Sequence, residues 1–330
     1  MTFIVIYIII KTDGRNKNLR GACMRIGIFY FSGTGNTELI AKFIGNGLIN
    51  RGNSVEYFKI EDILNNNMVI DISQYDMVGV GHPVLGFGAT GIADKFSKYM
   101  PNGNNKPAFV FKTASSHHYL NQGASKTIIR NMKKNGYDVF HNSIIAMACN
   151  WFLKYEDTFI KQLFEAAEVK TERIAEEINN KEKRILKINP ILSGIFSVAY
   201  YLEEHVGAKQ YAKNIKVSDK CTKCKKCLNS CPSRNISEAD GKITFGKNCV
   251  WCMRCAYICP VNALQPGAMK SCKLEPFNGG YYIDRVLNNK EIGNIFVTKE
   301  TKGYYKHFIK YLYGDKEYVE RLRGKSEKPL

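Results

Sequence analysis

Two stretches carry the chemistry that is most easily read. Cys221–Pro232 runs C-T-K-C-K-K-C-L-N-S-C-P and Cys249–Pro260 runs C-V-W-C-M-R-C-A-Y-I-C-P, so eight of the eleven cysteines fall into two copies of one spacing. Three chemistries use cysteines this densely. Disulfides between such near neighbours would close strained loops, and no secretory signal places the chain in an oxidising compartment. Zinc calls for two C-x-x-C pairs separated by about a dozen or more residues, whereas here three cysteines share one turn and a fourth follows after three residues. Iron–sulfur clusters take all-thiolate ligation from runs spaced C-x2-C-x2-C-x3-C-P, each ending in proline as these do.

A second constellation lies near the start of the chain. Ser32-Gly33-Thr34-Gly35-Asn36-Thr37 follows an apolar run and precedes helical spacing. It has neither the G-K-[ST] of a P-loop nor the G-x-G-x-x-G of a dinucleotide site. It offers two glycines for close backbone approach, three hydroxyls, and the free amides of a helix N-terminus: a phosphate cradle without a cation. A glycine turn with a Ser/Thr helix cap would account for part of it, but six consecutive small polar residues exceed what a cap requires.

The elements that must position these loops alternate. Arg25 to Phe31, Val55 to Ile60, Met77 to Gly81, Ala108 to Thr113 and Ile144 to Ala148 read as strands. Glu38 to Asn50, Gly91 to Tyr99, Gly123 to Lys134 and Asp157 to Asn179 read as helices from their apolar spacing. That rhythm predicts a parallel sheet wrapped on both faces, with ligands beyond the strand C-termini. Between the cysteine motifs, Asp240-Gly241 marks a turn between two short β-prone runs.

The cysteine stretch, about Val217 to Gly267, resembles the dicluster ferredoxin fold. The resemblance implies two [4Fe–4S] clusters with crossed ligation: Cys221, Cys224 and Cys227 with Cys259 for one, and Cys249, Cys252 and Cys255 with Cys231 for the other. Strand, S-G-T-G-N-T and helix together resemble the flavodoxin phosphate loop over Arg25 to Asn180, which implies FMN and an α/β doubly wound sheet of order 2-1-3-4-5. Ser32, Gly33, Thr34, Gly35, Asn36 and Thr37 would then hold the phosphate. The ring would lie between Pro83, Val84, Leu85, Gly86 and Phe87 on one side and Thr113, Ala114, Ser115 and Tyr119 on the other. Leu85 stands where flavodoxins often carry a ring-stacking aromatic, so Phe87 or Tyr119 is expected to substitute. His82, His117 and His118 read as solvated loop histidines. The order of the two modules resembles the flavodoxin-fused ferredoxins of anaerobic bacteria and archaea.

The expected domains are 24–180 for the flavodoxin-like part, 181–216 for a helical connector, 217–267 for the ferredoxin and 268–330 for a basic C-terminal tail whose helix spans Tyr304 to Arg323. The opening M-T-F-I-V-I-Y-I-I-I-K is too short to span a bilayer and its basic residues follow the apolar run, so Met24 is the expected start and residues 1–23 an extension. No membrane span is expected anywhere. The remaining cysteines, Cys23, Cys149 and Cys272, read as free thiols in a reducing, anaerobic cytoplasm.

Net charge is +18; two clusters, each about −2 with its four thiolates, leave roughly +14. The charge is spread and comes with no nucleic-acid motif, which favours acidic redox proteins as partners over nucleic acid. A flavin exchanges two electrons and a cube one at a time, so the expected function is electron transfer rather than conversion of a substrate. A flavin-dependent oxidoreductase with the clusters as relay, and an FMN-free docking or redox-sensing protein, are the alternatives.

Overall fold

The computed structural model describes residues 23–151, 153–267 and 285–325. The residues before Cys23, together with Cys272 and the opening of the C-terminal stretch, lie outside them. Strands β1 (Arg25–Tyr30), β2 (Ser54–Lys59), β3 (Met77–Leu85), β4 (Pro107–Ala114) and β5 (Asp138–Ala146) pair in parallel in the order β2-β1-β3-β4-β5. A two-residue antiparallel strand, Gly88–Ala89, returns along the end of β3.

Alternation along the central strands builds two cores. Ile26, Ile28 and Tyr30 of β1 point to one face, where they meet Ile40, Ala41, Ile44 and Leu48 of α1 (Asn36–Ile49) and Ile174 and Ile178 of α5 (Asp157–Asn179). Phe29 and Phe31 point to the other, against α2 (Ile60–Asn66), α3 (Gly91–Tyr99) and α4 (Lys126–Lys134). Side chains such as Ile28 and Ile44 are wholly buried, and each contributes about 1.5–3 kcal/mol relative to exposure.

Several boundaries depart from the sequence reading for identifiable reasons. β5 begins six residues earlier than expected because its polar residues are satisfied inside the protein: His141 Nε2 meets Glu177 at 2.8 Å, and the Asn142 amide donates to the Arg184 carbonyl at 2.7 Å. Arg184 thereby covers the edge of the sheet, which would otherwise be open to pairing. α4 starts at Lys126, preceded by a tighter 3-10 turn over Tyr119–Ser125. α2 was hidden by the asparagines at its end.

The largest difference concerns the C-terminal stretch. Rather than trailing as a tail, residues 286–322 pack on α5: Val286, Val297, Phe308, Leu312, Tyr318 and Leu322 form one core with Tyr155, Phe159 and Leu163. α5, an amphipathic helix rich in Glu, Lys and Ala, therefore buries polar residues as well: Gln162, Glu165, Lys170 and Thr171. Gln162 accepts from the amides of Phe296 and Val297 and donates to the Val297 carbonyl. The single helix expected over Tyr304 to Arg323 is broken at Gly314-Asp315 into Phe308–Tyr313 and Lys316–Lys325. Asp315 stops it by turning inward, 2.9 Å from both Lys170 Nζ and Arg173 Nη1, while accepting from the Tyr318 amide at 3.3 Å.

After β5 and α5, helix α6 (Pro190–Leu202) begins with Asn189 capping the Ile191 amide at 2.9 Å and proline at its first turn, both standard start signals. It passes through a wide turn at Glu203–Gly207 into α7 (Ala208–Asn214). No helix among the described residues is long and apolar enough to cross a membrane.

Candidate redox site

The two cysteine motifs fold alike. In each, the residues flanking the second cysteine take left-handed backbone: Lys223 and Lys225 (φ 54° and 58°) in the first, Trp251 and Met253 (φ 51° and 61°) in the second. Non-glycine residues adopt this conformation rarely, and its repetition coils each loop into a concave, amide-lined turn. Short helices follow, Lys226–Asn229 and Arg254–Ile258, each ended at a Cys-Pro pair. Beyond the fourth cysteines the pattern repeats again, with Arg234 and Asn262 at φ 48° and 52°. The amides of Asn235 and Ala263 donate to the sulfurs of Cys231 and Cys259, both at 3.2 Å. Asp240 and Gly241, both at positive φ, form the turn between Ile236–Ala239 and Lys242–Phe245. Lys216–Val217 pairs with Leu264–Gln265 and ties the ends of the unit together.

Cys221, Cys224, Cys227 and Cys259 line one cavity, with Ile243, Val261 and Leu264 as its apolar wall and Lys223, Lys225 and Lys226 around it. Cys231 stands with the second loop instead, near enough to couple electrostatically with Cys249, Cys252 and Cys255. The two sets differ in depth. Burial pushes the Cys249 thiol up to about 12, Cys252 to about 11 and Cys255 well above the ordinary range, while a hydrogen bond from the Lys226 backbone lowers that of exposed Cys224. Among the described residues no three Cys, His, Asp or Glu side chains converge on a single-ion position. Four thiols spaced around a cavity suit a cluster that bridges them, not a lone zinc.

The second loop lies directly on Ser32–Thr37. A Cβ on Gly33 would sit 2.5 Å from the Cys252 carbonyl oxygen, so only glycine permits the approach. Arg254, between Cys252 and Cys255, donates to the carbonyls of Ser32 (2.7 Å), Gly33 (3.2 Å) and Ser230 (3.0 Å), and to Glu61 Oε1 at 2.6 Å. Burial opposes its charge, but Glu61 together with the neighbouring Cys252 and Cys231 outweighs that and raises its pKa. Within the loop, Ser32 Oγ accepts from the Gly35 amide (3.1 Å), Thr37 Oγ1 meets Thr113 Oγ1 (2.8 Å), and Asn150 donates to Thr34 Oγ1 (2.9 Å). Gly35, at φ 103°, opens α1 with no side-chain cap on the helix's first turn.

The expected ring loops meet different fates. Leu85 packs with Trp151, Tyr211, Trp251 and Met253 in one apolar cluster. Trp151 and Trp251 stand edge to face, 4.4 Å between centroids, and Trp251 Nε1 is buried without a hydrogen-bond partner among the described residues. Phe87 instead rests on Phe196 of α6 (4.6 Å), and Tyr119 lies exposed beside His118. Neither ring joins the Leu85 cluster. The loop Thr113–Tyr119 is covered by the C-terminal stretch, with Ser116 Oγ and His307 Nε2 2.7 Å apart and His117 packed on Tyr311, and from the segment before α5 by Tyr155, which donates to the Ser115 carbonyl. Pro83 and Val84 are half-buried at the end of β3, and Ala114 is buried.

The histidine reading needs correction. His82 is fully buried, 2.8 Å from Ser125 Oγ, and burial lowers it to about 3; His117 is lowered to about 4 by burial. Lys112 shares Ser125 with His82 and bonds Asn142 at 3.0 Å. Of these three histidines, His118 alone is exposed. Sequence reasoning also missed Arg254 and Trp251; their place inside the second cysteine run, where the first run has lysines, was the available signal.

The parallel order β2-β1-β3-β4-β5, with helices on both faces and a polar loop after β1, is the flavodoxin arrangement. Residues 213–265 match the family model described as a 4Fe-4S dicluster domain. The chain carries a flavodoxin-like domain followed by a 4Fe–4S dicluster domain. Solved structures similar to it include a Streptococcus pneumoniae TIGR4 flavodoxin, at 20% identity over 48% of this chain and 99% of that one, TM-score 0.35. Flavodoxin 1 from Bacillus cereus is 22% identical over 44% of this chain and 97% of its own, TM-score 0.30. The rubredoxin oxygen:oxidoreductase of Desulfovibrio gigas is 18% identical over 48% of this chain and 36% of its own, TM-score 0.34. Among curated proteins no match was found.

Proposed function

We propose that this protein is an iron–sulfur flavoprotein that carries electrons between redox partners through two [4Fe–4S] clusters and FMN, in a reducing cytoplasm. The observation that carries the reading is the direct contact of the second cysteine loop with the loop after β1, through Arg254 and the close approach of Cys252 to Gly33. When bound, the flavin would exchange two electrons and each cluster one. Cys221, Cys224, Cys227 and Cys259 would hold the outer cluster, and Cys249, Cys252, Cys255 and Cys231 the inner one.

The residues present suit FMN at the phosphate end. The uncapped start of α1 leaves amides for an anion, Gly35 takes the left-handed turn that opens the helix, and the hydroxyls of Thr34 and Thr37 stand on the same loop. Leu85, Trp151 and Trp251 would meet the ring in place of Phe87 and Tyr119, with Thr113 to Ser115 beside them. Thr34→Ala is expected to weaken FMN binding by about 1.5–3 kcal/mol, the usual value of a hydrogen bond to a charged group. Riboflavin, which lacks the phosphate, should bind far less tightly than FMN; equal affinities by fluorescence quenching would reduce the loop to a helix start.

The outer cluster is the expected point of entry, since Lys220, Lys223, Lys225 and Lys226 are exposed around its cavity. Lys225 is paired with Glu238 at 2.6 Å, which leaves the others to attract an acidic partner. Encounter steered by such charge falls as salt screens it over about 8–10 Å. Stopped-flow reduction by an acidic donor protein should therefore slow as ionic strength rises, and a rate indifferent to salt would refute an electrostatic entry point. Iron, sulfide and flavin content of anaerobically purified protein tests the proposal as a whole.

A further inference from the structure

Six of the fourteen large apolar side chains exposed among the described residues fall on one short stretch: Ile191, Ile195, Val198, Tyr201, Leu202 and Val206, each 51–75% exposed. They share the outer side of α6 and the wide turn after it. The inner side is occupied, with Phe196 on Phe87 and Tyr200 donating to Asp94. α6 itself, P-I-L-S-G-I-F-S-V-A-Y-Y-L, contains no charged residue. Charge gathers at its two ends instead: Lys181, Lys183 and Lys187 precede it with one exposed acid, Glu182, among them, and Lys209 and Lys213 follow the half-buried Glu203 and Glu204; all five lysines are exposed.

We propose that this face is a docking surface for a bilayer carrying anionic headgroups, with α6 lying in the plane of the interface. An apolar helical face flanked by lysines is the arrangement that binds such surfaces, burying its side chains at the headgroup boundary while the basic residues meet the lipid charge. Thirteen residues rise only about 20 Å, less than the roughly 30 Å of a hydrocarbon core, so the helix lies along the surface and does not cross it. Charge selects this occupant over a second copy of the chain. Each copy has a formal charge of +18, and the two acidic residues of the turn, Glu203 and Glu204, point inward against Gly86 and Gly91, so the apolar face itself has no carboxylate to offset a partner's lysines. The inference does not depend on flavin or cluster chemistry.

The test is co-sedimentation of the cluster-loaded full chain with vesicles of phosphatidylcholine alone and with about one-third phosphatidylglycerol. The expected result is binding to the anionic vesicles, weak or no binding to the neutral ones, and release at high salt. The double variant Ile195→Glu, Val198→Glu should lower partitioning about tenfold or more, since binding scales with the apolar area inserted. Both positions are exposed, and unchanged cluster absorption would confirm that the variant is folded. Failure to bind anionic vesicles would overturn the proposal, as would binding that the double variant leaves intact. A dimer in sedimentation equilibrium that the same variant dissolves would overturn it too, by assigning the face to a second copy.

Discussion

Cys231→Ala will strip the inner cluster and spare the outer one, although Cys231 belongs by sequence to the first motif. Its sulfur accepts from the Asn235 amide and lies near enough to couple with Cys249, Cys252 and Cys255, whereas Cys221, Cys224 and Cys227 share their cavity with Cys259. Iron should fall from about eight per chain toward about four, because each cube holds four irons and depends on four thiolates. Electron paramagnetic resonance of the reduced protein should lose one of two cluster signals. Cys259→Ala should remove the other. If each variant instead emptied the cluster of its own motif, the crossed assignment would be wrong.

Arg254→Ala should have the second large effect, by separating the two modules. Glu61 is 4% exposed and Arg254 is its cation, and the same guanidinium satisfies the carbonyls of Ser32, Gly33 and Ser230. Removing one member of a buried pair costs on the order of 3–5 kcal/mol, because the other charge is left without compensation. Since Arg254 keeps about a fifth of its side chain in contact with water, the lower end of that range is the expected loss. The melting temperature should drop, and the FMN proposed to bind here should become accessible to a soluble quencher. Arg254→Lys should restore part of the stability, but a point charge cannot serve Glu61 and three carbonyls as a planar guanidinium does. Unchanged stability and quenching in the alanine variant would show that the loops touch without holding one another.

The sheet and the cysteine loops were legible in the sequence because both depend on local pattern. Continuous apolar runs such as Arg25 to Phe31 encode buried parallel strands, and the thiol spacing encodes a loop that closes on itself. The start of β5 was not legible, since Asp138, His141 and Asn142 look like turn residues until Glu177 and Arg184 are brought beside them. The polar face of α5 was misleading for the same reason: Gln162 and Lys170 find their partners more than a hundred residues further along the chain, at Val297 and Asp315. The place of the glycine loop, after β1 and at the start of α1, could be read from its own residues. Its neighbours Arg254 and Trp251 could not, because nothing local in a cysteine run says what it will rest against.

The packing of residues 286–322 around Phe159 has a consequence for biosynthesis. These residues leave the ribosome only after both cysteine motifs have emerged, yet they complete the core beside the first domain's last strand. Until then Tyr155, Phe159 and Leu163 lack part of their cover, and the loop carrying Ser116 lacks His307. Both cysteine motifs are therefore outside before this core can close, and a chain truncated ahead of residue 286 should present Tyr155, Phe159 and Leu163 as an open apolar seam that proteases cut faster than the full chain.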